Sequence, residues 1–194
     1  MYSIPIIESD GGKCLEMTSS NLARWGGIGA VVAGLIYVVL VLLNPQSLVG
    51  LSPLPSSLST LMFILALLGQ LAGIAGLHTL QREHYGRLGA AGSLISFAGF
   101  VVQLIAVLGI AVVSSIILAL LFAMGVLIPF VGLVLLGVAT LRTRVLPSWL
   151  GVLLIVGLPI VGVLVGLQEI LIAVIAYGVF WMLVGYALSS SEAS

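Results

Sequence analysis

The sequence predicts an all-α fold: a polytopic membrane helix bundle of six transmembrane helices, arranged as three tandem helical hairpins. Bulk chemistry, span arithmetic and charge placement predict it. Hydrophobic residues make up 61% of the chain and charged residues 6%, with a mean hydropathy of +1.37. A soluble domain carries about a quarter charged residues. So few polar groups cannot cover a water-facing surface, and most of the outside must therefore face lipid.

The segment 1–19 reads as a disordered N-terminal extension, because it holds Glu8, Asp10, Lys13 and Glu16 and offers no apolar face to bury. It lacks the apolar core of a signal peptide. Met17 opens a polar lead with one arginine, Met-Thr-Ser-Ser-Asn-Leu-Ala-Arg, and reads as the native start. The membrane domain spans 20–188, and 189–194 form a short tail.

A spanning helix needs roughly 20 apolar residues. Leu22–Leu43 supplies the first span, ended by Asn44-Pro45, and a connection with Pro53, Pro55, Ser56 and Ser57 leads to the second, Leu58–Leu80. Gln81–Arg87 is a charged turn. Leu88–Leu141 as one helix would measure about 80 Å, far more than a bilayer. It must fold back, and Ser114-Ser115 marks the place. Leu150–Leu188 poses the same problem, with Gln168-Glu169 as its turn.

Charge placement tests this count independently. Lys13 and Arg24 precede span one, Arg82 and Arg87 lie between spans two and three, and Arg142 and Arg144 lie between four and five. Six spans put all of them on one side, which the positive-inside rule makes cytoplasmic together with both termini. Trp25 and Trp149 sit at span starts on that side, where amphipathic rings anchor at the headgroups, and Tyr85 lies in a turn there. Tyr177 and Trp181 lie deeper, packed against protein or lipid.

Internal similarity suggests a repeat. Arg24–Gly29 and Arg87–Gly92 share Arg-x-Gly-x-x-Gly, and Gly76–Leu80 and Gly137–Leu141 share Gly-x-x-Thr-Leu. Small residues recur at helical spacing: Gly26, Ala30 and Ala33 with Tyr37 in span one, and Ala66, Gly69, Gly73 and Gly76 in span two. Gly89, Gly92, Ser96, Gly99 and Gln103 do so in span three, and Gly162 and Gly166 in span five. Such stripes let helix backbones approach closely.

The Arg-Trp-Gly-Gly start, the Leu-x-x-Leu-Gly-x-x-Gly core of span two, and Gly137–Gly151 (Gly-Val-Ala-Thr-Leu-Arg-Thr-Arg-Val-Leu-Pro-Ser-Trp-Leu-Gly) carry a resemblance. They resemble small, very hydrophobic bacterial membrane proteins grouped as a domain of unknown function. The likeness runs loosely from Arg24 to Gly185. It implies a multi-pass protein of the bacterial cytoplasmic (inner) membrane and brings no activity with it.

The sequence offers little to catalysis, and the expectation is a protein that is not an enzyme. By this topology the middle of the membrane holds no Asp, Glu, Lys or Arg, the usual marks of ion and proton paths. His78 and His84, beside a turn, give poor geometry for haem or metal. Ser93 has no Gly-x-Ser-x-Gly context and no membrane-embedded histidine partner. One cysteine, Cys14, excludes an intrachain disulfide. No cofactor and no metal are expected, and a zero net charge without a basic run argues against nucleic acid.

The intramembrane polar residues are the informative ones. Gln70 and Gln103, with Ser96 and Tyr37, are the candidates to line an interior. They read first as interhelical hydrogen-bonding residues, and alternatively as a polar lining for a small neutral ligand. Pro129 and Pro159 are candidate helix breaks, each freeing a carbonyl four residues earlier, at Gly125 and Ile155.

Two function classes follow. The first is an accessory or scaffold subunit that acts by helix association, within a membrane-protein complex or a homo-oligomer surrounded by membrane lipids. The second is a membrane-embedded subunit that binds or transports a small solute. In size, span number and the Ala30/Gly34 pair the chain is similar to substrate-capture subunits of vitamin transporters, without their recognition motifs.

Overall fold

The computed structural model describes residues 11–43 (side chains from 21), 57–84, 86–113, 115–143, 146–167 and 169–190. These form six helices: α1 (Gly11–Leu43), α2 (Ser57–Gln81), α3 (Gly86–Val112), α4 (Ile116–Thr143), α5 (Ser148–Gly166) and α6 (Ile170–Ser190). All six are long and apolar enough to cross a membrane, the first over Asn21–Leu43. The expected turns fall between helices, at 82–85, 113–115, 144–147 and 167–169. The connection carrying Pro53, Pro55 and Ser56 lies outside the described residues, as do Tyr85, Ser114, Arg144, Gln168 and 191–194.

Helix α1 begins at Gly11, so it is 33 residues and about 50 Å long and runs back beyond the first span. Residues 1–10 lie outside the described residues.

The helices pack as a ring. Each of α1 to α5 contacts its successor, α6 returns to α1, and α2 touches α6 across the middle. Two hairpins, α1/α2 and α3/α4, are the tightest units. In α3/α4 the small-residue stripe meets its partner in a regular antiparallel register. Gly92 faces Leu136 and Gly132, Gly99 faces Pro129, and Gly125 faces Gln103, with backbone atoms so close that added Cβ atoms would collide. In α1/α2, Gly26 lies against Ala72 and Gly76. The third hairpin is looser, because α6 packs more closely on α1 than on α5. Gly27 meets Gly185 and Gly34 meets Gly178, two pairs spaced two helical turns apart on both helices.

The repeat is kept at the hairpin starts and lost at their ends. One common shift along the chain relates Gly29 to Gly92, Gly69 to Gly132 and Ala72 to Leu135, which make matching contacts. That shift carries Thr79 onto Arg142 rather than onto Thr140. The two threonines are not equivalent: half-buried Thr79 donates to the Gly76 carbonyl, whereas Thr140 is buried and reaches Gln81 on α2.

Candidate functional site

The inward faces of the ring follow from the stripes. On α1 the face carrying Gly26, Ala30 and Ala33 continues to Tyr37, which is buried. Its ring meets Phe63 of α2 edge-on at 5.6 Å and Tyr177 of α6 at 5.0 Å. Trp181, fully buried, packs edge-on against Phe100 at 5.7 Å, and against Phe180 at 5.5 Å. Edge-to-face contacts of this kind hold aromatic rings in place beyond the area they bury.

Between these rings lies a partly open cavity of about 150 Å³ to which all six helices contribute. Tyr37, Phe63, Gln103, Pro129 and Tyr177 line it, and α5 closes one side with Leu158, Val161 and Val165. It lies toward the helix ends remote from Arg24, Arg82, Arg87 and Arg142. Among the described residues no charged residue or histidine lines it. The polar residues among its described lining are Gln103, Tyr37 and Tyr177.

Gln103 is 6% exposed and continues the α3/α4 register, its backbone against Gly125. The Gly125 carbonyl is the one that Pro129 leaves without its helical donor. Gln70 stands behind the wall. It is fully buried and donates from Nε2 to the Tyr177 hydroxyl at 3.0 Å. Among the described residues its Oε1 and the Trp181 indole N–H meet no partner at full hydrogen-bond geometry, although Gln70 also lies beside Tyr37 and Trp181 beside Tyr177. Such incomplete pairing costs free energy in an apolar interior.

The structure separates the sequence-derived candidates. Tyr37, Gln103 and Pro129 come together at the cavity, and Gln70 reaches it through Tyr177. Ser96 does not line it: its hydroxyl donates to Gly92 of its own helix and its backbone packs on Gly132. Pro159 is exposed on α5, so the carbonyl break it causes does not face the interior from within. Tyr177 and Trp181 were not distinguishable as interior residues in the sequence, because α6 is apolar all round and marks no face.

A second polar group lies at the arginine-bearing end. His78 Nδ1 and the Ser93 hydroxyl share a 2.9 Å hydrogen bond between α2 and α3, at the arginine-bearing helix ends rather than deep in a span. Ser93 also donates to the Ala90 carbonyl at 3.0 Å. The single hydroxyl proton serves either the Ala90 carbonyl or the ring nitrogen, according to the tautomer of His78. Nearby, Thr140 donates to Gln81 Oε1 at 3.1 Å and joins α4 to α2. Among the described residues no three His, Cys, Asp or Glu side chains are grouped as metal ligands.

Comparison with protein-family models, with curated proteins and with solved structures found no match.

Proposed function

We propose that the chain is a membrane-embedded binding protein for a small, neutral amphiphile with an apolar body of about one ring and a hydrogen-bonding group. One observation carries this reading: the cavity lined by all six helices, aromatic around its wall and supplied with the Gln103 amide. Size sets the ligand class. An apolar cavity of about 150 Å³ takes a benzene-sized molecule, whereas drug-sized ligands occupy roughly 300 Å³ or more. The uncharged lining selects a neutral guest, since an ion would lose its hydration without a counter-charge.

The alternative, a scaffold subunit acting by helix association, rests on the small-residue stripes. Those of α1, α2 and α3 are already met by helices of the same chain, which favours the binding reading. The positive-inside rule would place the cavity in the outward half of the bacterial cytoplasmic membrane, with both termini inside.

Trp181 can report occupancy, because it touches Phe100 and Tyr177 of the cavity wall. In a Trp25→Phe/Trp149→Phe background, 4-bromophenol, a neutral heavy-atom quencher, should quench Trp181 saturably. Gln103→Leu should weaken 4-bromophenol about tenfold, the loss of roughly one net hydrogen bond, and spare bromobenzene. Quenching that rises linearly for both probes, alongside a stoichiometric protein partner on purification, would support the scaffold instead.

A further inference from the structure

Resting on that binding reading, we infer that the ligand enters from the lipid phase, sideways through a portal between α4 and α5 that is closed by Phe130 and hinged at Pro159. The ligand is then a bilayer-dissolved amphiphile, not a water-borne solute.

Helix α5 is held along only half its length. Its buried residues, Leu150, Gly151, Leu154 and Leu158, all precede Pro159. In that half Gly151 is packed against Leu141 and Gly137, and Gly157 against the Phe180 ring. Beyond Pro159 no α5 residue is buried. An added Cβ at Gly162 would find only the Phe130 ring, at 3.8 Å, and at Gly166 nothing within 4 Å. Yet this loosely held half supplies Val161 and Val165 to the cavity wall. Val165 lines the cavity and is still 50% exposed, so the wall there is one side chain thick.

The hinge is covalent in origin. Pro159 cannot donate to the Ile155 carbonyl, and this missing bond falls where the packed half of α5 ends. The door is Phe130. This residue lines the inner cavity and also a shallow outer hollow on α4 with Val131, Val134 and Leu135, all of them apolar. Rotation of this one side chain, with α5 yielding beyond Pro159, joins the interior to the bilayer. Every group along that path is apolar, so it suits a molecule already dissolved in lipid and would exclude an ion.

The experiment follows exchange of 4-bromophenol at Trp181 in nanodiscs by stopped flow, using the full chain in the Trp25→Phe/Trp149→Phe background. Gly162→Leu fills open space beside Phe130 and should slow both entry and exit by about tenfold, through steric obstruction of the Phe130 rotation. Equilibrium affinity should be unchanged. Pro159→Ala, at an exposed position, restores the backbone bond and should slow exchange in the same sense. Phe130→Ala should speed it. Saturable quenching with exchange rates indifferent to all three substitutions would overturn the portal and leave the binding reading standing. Absence of saturable quenching in the parent protein would overturn both.

Discussion

At the scale of single residues, the Gln70–Tyr177 pair shows how cost is distributed among buried polar groups. Gln70 spends its donor on Tyr177, and its acceptor meets no partner at full hydrogen-bond geometry among the described residues. Replacing Gln70 by Leu removes one interhelical bond and also removes that acceptor. Tyr177→Phe keeps the whole amide and strands its donor. Because an unpaired buried group costs more than a bond contributes, Tyr177→Phe should destabilise more than Gln70→Leu, which should cost less than about 2 kcal/mol. The double variant should be no less stable than Tyr177→Phe alone. Unfolding midpoints in mixed micelles would check this; equal losses in the two single variants would contradict it. That both glutamines face inward was legible, since each continues a small-residue stripe. That Gln70 meets Tyr177 was not, because the rotation of α6 has no amphipathic signature.

At the scale of helices, association rests on backbone proximity. In lipid there is no hydrophobic gain in burying one apolar face rather than another, so close approach at glycines decides which helices pair. At Gly92 an added methyl would sit 2.7 Å from the Leu136 nitrogen and 2.8 Å from the Gly132 oxygen, both backbone atoms that cannot swing away. Gly92→Ala should therefore destabilise by about 1–3 kcal/mol, the usual cost of overpacking. Gly166→Ala, in open space, should be neutral or gain a few tenths of a kcal/mol in helix propensity. A thermal series of the two variants by size-exclusion chromatography distinguishes them, and equal behaviour would mean that the α3/α4 register does not hold the pair together. The stripes of α1 to α3 were readable from sequence. The α1/α6 seam of Gly27 and Gly34 on Gly185 and Gly178 was not, since its two halves lie far apart in the chain.

At the scale of the molecule, the ring and the side of the membrane are separate questions. Arg24, Arg82, Arg87 and Arg142 share one end of the bundle, and the cavity lies toward the other. If that arginine-bearing end is cytoplasmic, a cysteine placed at His84 in a Cys14→Ser background should resist impermeant thiol reagents in intact cells and react once the membrane is opened. Efficient labelling from outside would invert the orientation and with it the side of the bilayer to which the cavity belongs.

The sequence by itself determined the number of spans, their ends and their reversals. Bilayer thickness and arginine placement act along the chain one residue after another, so no tertiary information is needed to apply them. It also marked the inner faces of α1, α2 and α3, where small residues recur at helical spacing. Only the tertiary structure decided that α6 closes the ring on α1, that Tyr177 and Trp181 face inward, that His78 meets Ser93, and that Pro129 but not Pro159 reaches the cavity. The physical reason is common to all four. On helices apolar all round, lipid and protein interior are equally good surroundings for a side chain, and orientation is settled only by which backbones can come close enough to touch.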